Sequence, residues 1–450
     1  MKFVDTFQHK KILVLGLAKS GYAAARLIKQ LGASVIVNDA NDLSGSPEEK
    51  ELKQLNIELV SGSHPLSLLD DGVEYIVKNP GIRYDNPLVK KALSFGIPVV
   101  TEVELAGMIC EGSIIAISGS NGKTTTTSLI HEILQAGGTT SHIAGNIGKV
   151  ACEIAQNVEQ SEVMVTELSS FQLKGTKTFQ PNIAVLLNIF DAHLDYHGGR
   201  KDYEMSKGKM FANMTKDDFA VYNADDPASA KLAEASEAVL VPFSVTKEVT
   251  EGAYVSGDMM YFRNIPVLSV HEAALPGRHN LENMLAAIAA SMLYGAEAAH
   301  VKEVLMTFQG IRHRLQFAGE VEGRKVYNDS KATNMLSTQK AIEAFTDPVV
   351  LIGGGLDRGN EFNELIPHFQ TLKGAVFFGQ TKAKLADAAK KAGLEKVKTV
   401  ESIEEAVTEA YQYTETGDIL LLSPACASWD QFKTFEDRGE AFLTAIKTLS

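Results

Sequence analysis

Ser118-Gly119-Ser120-Asn121-Gly122-Lys123-Thr124-Thr125 joins an apolar run, Ser113–Ser118, to a stretch of helical character from Thr126 to Leu134. Strand, glycine-rich bend, Lys-Thr-Thr and helix, in that order, are what a phosphate-cradling loop needs. Gly119 and Gly122 let the N–H groups of the bend, at Ser120 and Asn121 among others, converge on phosphate oxygens. The helix start adds its positive dipole, Lys123 meets the β and γ charge, and a hydroxyl of Thr124 or Thr125 can ligate Mg²⁺. Ile117 stands where the longer GxxxxGK[ST] form has its first glycine, so this is the shorter GxxGK[ST][ST] variant. A glycine-rich hairpin with an exposed lysine would explain the bend, but not the strand and helix beside it. The loop predicts ATP binding.

A magnesium nucleotide needs hard oxygen ligands beyond the loop hydroxyl. Glu167 ends the run Val163–Glu167, where a carboxylate could face the γ-phosphate, although an acidic strand end is as often a cap or a surface turn. Asp191-Ala192-His193-Leu194-Asp195 follows the next apolar run, Ile183–Asn188, and sets two acids around a histidine; a polar loop explains it equally well. Lys207, taken alone, is a solvated helix lysine. A second glycine turn, Gly16-Leu17-Ala18-Lys19-Ser20-Gly21, follows the strand Lys11–Leu15, and Asp39 ends the strand after it. This resembles a dinucleotide fingerprint with Ala18 in the middle glycine's place, which leaves less room for pyrophosphate. By itself it would point to an NAD-dependent oxidoreductase, and that reading leaves the lysine loop unexplained.

The elements that must position these residues alternate strand and helix almost throughout, the pattern of parallel α/β sheets. At 450 residues the chain is too long for one core. We expect three α/β domains: Rossmann-like over 1–102, a P-loop ATPase-like mostly parallel sheet over 103–310, and Rossmann-like again over 311–450. Between Val239 and Val270, short runs separated by Gly, Asn and Pro turns suggest a small antiparallel add-on to the middle domain. A long helix is expected from Leu281 to Tyr294. The net charge of -13 argues against nucleic acid, because phosphate backbones need a basic surface. Cys110, Cys152 and Cys426 have no CxxC spacing, which supports neither a disulfide framework nor a zinc site. The apolar stretch Leu285–Tyr294 is interrupted by Ser291 and is too short for a membrane span. A soluble cytoplasmic protein without membrane attachment is expected.

Taken together, the lysine loop, Glu167-Leu168-Ser169-Ser170-Phe171-Gln172-Leu173, the Asp191–Asp195 loop and Gly277-Arg278-His279-Asn280 resemble the Mur ligases, relatives of the folylpolyglutamate synthases. The likeness runs from the first strand to Gly439. Asn328-Asp329-Ser330-Lys331-Ala332-Thr333-Asn334 and Leu422–Gly439, with Ser428-Trp429-Asp430-Gln431-Phe432, are closest to the D-glutamate-adding branch. The resemblance implies an ATP-dependent acid–amino-acid ligase of peptidoglycan synthesis, working through an acyl-phosphate intermediate and giving ADP and phosphate, with a C-terminal domain that closes over the site. Its small-molecule substrates would be UDP-N-acetylmuramoyl-L-alanine and D-glutamate, and a monomer is expected.

The resemblance also assigns roles. Lys123 and Thr124 would hold ATP, while Glu167 and His193 would serve Mg²⁺ with Thr124. Lys207 falls where the family carries a carbamylated lysine near the metal. Asn280 and Asn283, three apart on one helix, would contact adenine, with Arg314 on the phosphates and Asp329 on the ribose. Lys331, Thr333, Arg358, Ser428 and Phe435 would bind D-glutamate, Arg358 standing where relatives carry lysine. In the first domain Ser20 and Gly21 would face the pyrophosphate and Asp39 the uracil end, with Gly81 and Asn146 on nearby parts of the substrate. A sister Mur ligase, a folate polyglutamylase and a nucleotide-sensing module without turnover are the competing readings.

Overall fold

The structure, a computed structural model, describes residues 1–308 and 310–449. These form two compact units, one of 1–272 with 282–306 and one of 273–281 with the chain from 307 onward.

The first unit holds two sheets. In the first sheet lie β1 (Lys11–Leu15), β2 (Ser34–Asp39), β3 (Glu58–Ser61), β4 (Tyr75–Lys78) and β5 (Val99–Val100), all parallel, in the order β3-β2-β1-β4-β5. Ile12 to Leu15 are buried because helices cover both faces, which is why β1 is continuously apolar rather than alternating. The helix Lys19–Gln30 buries Ala23, Ala24, Leu27 and Ile28. Strand order reverses between β1 and β4, so the crevice for a ligand opens beyond their carboxyl ends, at Gly16–Gly21 and Asn79–Gly81.

The second sheet has nine strands: β6 (Ser113–Ser118), β7 (Ser141–Gly145), β8 (Val163–Glu167), β9 (Ile183–Leu186), β10 (Phe219–Asn223), β11 (Val239–Ser244), β12 (Ala253–Ser256), β13 (Met259–Phe262) and β14 (Ile265–Ser269). Their order is β7-β8-β6-β9-β10-β11-β12-β13-β14. The expected antiparallel add-on is present, but it is a continuation of this sheet and narrower than the sequence suggested. β11 and β12 pair in parallel, and only β12–β13–β14 run antiparallel, where two tight turns reverse the chain. The helix after the lysine loop spans Lys123–Ala136 and the long apolar helix Arg278–Tyr294, each beginning three residues earlier than expected.

The segment entering this sheet is fixed by buried acids. Glu104, 1% exposed, accepts the backbone N–H groups of Lys177 (2.8 Å), Thr178 (2.7 Å) and Phe179 (3.2 Å) and the Thr178 hydroxyl (2.6 Å). Thr101 donates its hydroxyl to the Gln172 carbonyl at 2.7 Å.

The second unit holds β15 (Gln316–Val321), β16 (Arg324–Asn328), β17 (Val349–Gly354), β18 (Gly374–Phe378), β19 (Val397–Thr399) and β20 (Ile419–Leu422), in the order β15-β16-β20-β17-β18-β19. All neighbours are parallel except β15 against β16. Its loops after β16, β20 and β17 therefore emerge side by side. Among the described residues no helix is long and apolar enough to cross a membrane.

Glu104→Ala leaves three backbone N–H donors without their acceptor at once, that of Phe179 buried and those of Lys177 and Thr178 half-buried. We expect it to destabilise the first unit by about 3 kcal/mol or more, read as a lower first unfolding transition in calorimetry.

Candidate functional site

The lysine loop is shaped from below by β9. Asn188 accepts the Asn121 N–H on its side-chain oxygen (2.9 Å), its carbonyl accepts the Ser120 N–H (2.9 Å), and its amide donates back to the Asn121 carbonyl (3.3 Å). The Ser120 hydroxyl is held by the Tyr203 hydroxyl at 2.7 Å and accepts the Phe190 N–H at 2.9 Å. Gly122 sits at φ +84°, and a Cβ there would meet the Asn283 side-chain oxygen at 2.1 Å. Only glycine meets both demands. Asn283 is buried in contact distance of the Thr126 hydroxyl, 3.5 Å away, so it stands beside the loop. Thr125 follows Thr124 in the first turn of the helix.

Chemistry-bearing groups gather around this bend. Lys123 Nζ donates to the carbonyls of Gly119 (3.0 Å) and Ser120 (3.1 Å). Lys207, 2% exposed, donates to the same Gly119 carbonyl at 2.8 Å and to Ser118 Oγ at 3.3 Å, with its ammonium 4.9 Å above the Tyr203 ring. Burial, then the nearby Lys123 charge, push its pKa well below the usual lysine value, with Glu167 opposing. Glu167 is 1% exposed. One oxygen accepts the Thr124 hydroxyl at 2.8 Å and the other the Asn146 amide at 2.7 Å. Asn146 is therefore fixed to this carboxylate. His193, at φ 55°, packs 4.9 Å from the Phe171 ring, and burial followed by Lys123 lowers its pKa.

The oxygens of Thr124 and Glu167 fit a hard divalent cation. Among the described residues no group of three His, Cys, Asp or Glu side chains could hold a metal ion, so these two oxygens would need other ligands to complete a shell. Lys207 as an ammonium does not fit such a cation. A neutral amine, which its burial favours, is the form that can accept CO₂.

In the first sheet, Asp39 accepts the Leu17 N–H at 2.7 Å and the Asn41 N–H at 2.9 Å, fixing the glycine turn to β2. The Ser20 hydroxyl receives the Asn79 amide at 3.0 Å, and Asn79 also accepts the Gly81 N–H at 3.0 Å. These contacts bring Ser20 and Gly81 to one crevice. Gly21 is buried, and a Cβ on it would fall 1.8 Å from the Gly16 carbonyl, so its lack of a side chain permits close packing of helix on strand.

The second unit assembles its own cluster at the ends of β16, β17 and β20. Lys331 Nζ lies 3.6 Å over the Phe435 ring. Thr333 donates its N–H to the Lys331 carbonyl at 2.8 Å. Ser428 Oγ is buried and has no hydrogen-bond partner among the described residues. Arg358, exposed, stacks 5.0 Å over Trp429. Asp329 accepts the Ser423 hydroxyl (2.9 Å) and the Leu315 N–H (3.1 Å); burial lifts its carboxyl to about 7, with Arg314 favouring the charged form. Asn280 donates its amide to the Pro276 carbonyl at 2.7 Å. Arg438, fully buried, binds Ser330 through its hydroxyl (3.0 Å) and carbonyl (2.7 Å), and the carbonyls of Cys426 (3.0 Å) and Gly354 (3.3 Å). It ties all three loops together. Asn188 and Tyr203 take no role from the sequence, and Arg438 only a place in the Leu422–Gly439 run; what marks their roles is burial of polar atoms, which the sequence does not display.

Loop, helix and mostly parallel sheet define an α/β fold of the P-loop type. Three family models match in order: the MurD-like N-terminal domain of Mur ligases over residues 10–101, the Mur ligase middle domain over 117–291 and the Mur ligase glutamate ligase domain over 313–426. The chain belongs to the Mur ligase family. It is 55% identical over 450 residues, all of both chains, to the UDP-N-acetylmuramoylalanine–D-glutamate ligase of Geobacillus kaustophilus. It is 54% identical over 449 residues, again all of both, to the protein of that name from Halalkalibacterium halodurans. Among solved structures it resembles the UDP-N-acetylmuramate–alanine ligase MurC of Thermotoga maritima, with TM-score 0.59, 19% identity and coverage of 98% and 100%. The MurF ligase of Thermotoga maritima, solved in complex with ADP, gives TM-score 0.58 at 16% identity, with coverage of 100% and 98%.

Gly122→Ala forces a side chain into Asn283 at a left-handed φ, and we expect loss of nucleotide affinity by about a hundredfold or more in equilibrium titration. Gly138→Ala, at φ +79° with open space around it, should cost about 1 kcal/mol of stability and leave that affinity unchanged. Asp329 supplies a pH test. Its folded pKa is raised from 3.8 to about 7, so the stability it contributes is present at low pH and is lost as pH rises through about 7. Asp329→Asn should remove on the order of 4 kcal/mol of that decline for the second unit, seen as a flatter unfolding temperature from about pH 4 to 7.

Proposed function

We propose that this protein is the ATP-dependent ligase that joins D-glutamate to UDP-N-acetylmuramoyl-L-alanine in peptidoglycan precursor synthesis. The observation that carries the reading is the convergence of Lys123, Lys207 and the Thr124–Glu167 pair on one phosphate loop. It lies in a chain that matches D-glutamate ligases over its whole length. Domains of 1–102, 103–310 and 311–450 would take the sugar nucleotide, ATP and D-glutamate respectively, in a cytoplasmic monomer.

The loop N–H groups and Lys123 orient the triphosphate and stabilise the charge that grows on the transferred group. Thr124 and Glu167 would hold Mg²⁺, with His193 and a carbamylated Lys207 nearby, and the ion would neutralise phosphate charge. The alanine carboxylate attacks the γ-phosphorus, the bond to the β-phosphate oxygen breaks, and ADP leaves. Activation is needed because a carboxylate is a poor electrophile. The D-glutamate amine then attacks the acyl carbonyl, loses a proton and expels phosphate, forming the amide. Lys331, Arg358, the Ser428 hydroxyl and the Phe435 N–H would bind the two carboxylates of D-glutamate, with Thr333 alongside; the partnerless buried Ser428 hydroxyl supports this placement. Ser20, Gly21, Asp39, Gly81 and Asn146 would line the sugar-nucleotide crevice. Asn280 and Asn283 would meet adenine, Asp329 the ribose and Arg314 the phosphates.

Phosphate release with UDP-N-acetylmuramoyl-L-alanine decides among the readings. D-glutamate should support turnover, whereas L-glutamate and diamino acids should not; turnover with a diamino acid would instead indicate a sister ligase. Lys123→Ala should lower turnover by at least about a hundredfold, and Arg358→Ala should raise the KM for D-glutamate about tenfold.

A further inference from the structure

Lys78 is 1% exposed and ends β4, directly before the Asn79-Pro80-Gly81 turn. Its ammonium donates to the carbonyls of Ile82 (2.9 Å), Asn79 (3.3 Å) and Pro80 (3.3 Å), and to the Tyr196 hydroxyl (3.2 Å). Tyr196 in turn donates to the Pro80 carbonyl (2.8 Å) or that of Ile82 (3.0 Å). Among the described residues no carboxylate lies within ion-pairing distance of Lys78, so its partners are the carbonyls of this turn. The charged and titratable groups around it are Tyr84, whose ring it overlies at 4.7 Å, Tyr196 and the Lys174 ammonium over the same Tyr84 ring at 4.8 Å. Lys174 is itself paired with Asp202 at 2.6 Å.

A buried lysine without an acid is costly, and a fold keeps one only where its donors satisfy something no apolar residue could. Burial followed by Lys174 lowers the Lys78 pKa to about 7, a measure of that cost. The Tyr196 ring rests 4.4 Å from Phe171, and Phe171 packs 4.9 Å from His193. A continuous set of contacts thus runs from the turn at the end of β4, through Tyr196 and Phe171, to the histidine beside the phosphate loop.

We propose that Lys78 and Tyr196 are positioning residues that clamp the Asn79–Ile82 turn to the His193 segment, so that the sugar nucleotide bound by that turn presents its alanine carboxyl in register with the γ-phosphate. This rests on the ligase reading above. Neither residue touches the reacting atoms. The clamp acts through the turn, and its loss should weaken capture of the sugar nucleotide without affecting ATP.

The test is steady-state kinetics of full-length Tyr196→Phe, Lys78→Met and the double variant with UDP-N-acetylmuramoyl-L-alanine, ATP and D-glutamate. Tyr196→Phe keeps the ring on Phe171 and removes only the hydroxyl, so it tests the clamp even if Lys78→Met folds poorly. Each single change should raise the KM for the sugar nucleotide about tenfold, the worth of a hydrogen bond to a charged group, with the KM for ATP unchanged. The double variant should be no worse than the poorer single one, because both act on one turn. Tyr84→Phe, which deletes a buried hydroxyl that has no hydrogen-bond partner among the described residues, should leave both KM values unchanged. An unchanged sugar-nucleotide KM in Tyr196→Phe, or losses confined to kcat and melting temperature, overturns the clamp. A wild-type chain that releases no phosphate with this substrate overturns the ligase reading itself, and the clamp with it.

Discussion

Two lysine amines meet at one backbone carbonyl, that of Gly119, at 3.0 and 2.8 Å. Two ammonium charges this close would repel strongly where water is thinned out, and burial together with that repulsion favours the neutral amine at Lys207. The surroundings hold them together: Asn188 fixes the loop from both sides, Tyr203 lies under Lys207 and braces Ser120, and Glu167 supplies the nearby negative charge. A polyphosphate entering this bend would meet the Lys123 charge at its loop. Placing the Lys123 charge, the Lys207 amine and one carboxylate before the nucleotide arrives means that little reorganisation is left for the transfer step.

The phosphate loop was legible in the sequence because phosphate binding needs consecutive residues: glycines, lysine and threonines between a strand and a helix. Parallel α/β architecture was legible for a similar reason, since strands buried on both faces read as unbroken apolar runs, as in Ile12–Leu15. What escaped acts across long separations. Glu104 meets a turn more than seventy residues away, and Arg438 reaches Ser330 across 108. Nothing local marks Glu104 among the many surface acids, and the Leu422–Gly439 run that contains Arg438 does not show which loops its guanidinium joins. Asn146 entered only through the family resemblance, because its partner, Glu167, lies on a neighbouring strand's end. The strand direction of β12 was equally hidden, because short runs with glycine turns look alike whether they return in parallel or not.

Lys78 and Arg438 are one solution used separately in the two units. Each is a buried cation without a carboxylate partner within ion-pairing distance among the described residues, and each donates mainly to carbonyls of loops at the carboxyl ends of parallel strands. The geometry of such loops explains why. A turn that offers its N–H groups outward to an anionic ligand points carbonyls back into the protein, where they need donors. Apolar packing cannot supply these, and a carboxylate would repel them. Lysine brings three donors and arginine five on a single side chain, so one residue can satisfy several inward carbonyls at once. The desolvation cost of burying the charge is offset by those bonds, and the turn gains rigidity. Loops that bind small anions are usually described by the residues facing the ligand; here their shape depends equally on the cation behind them.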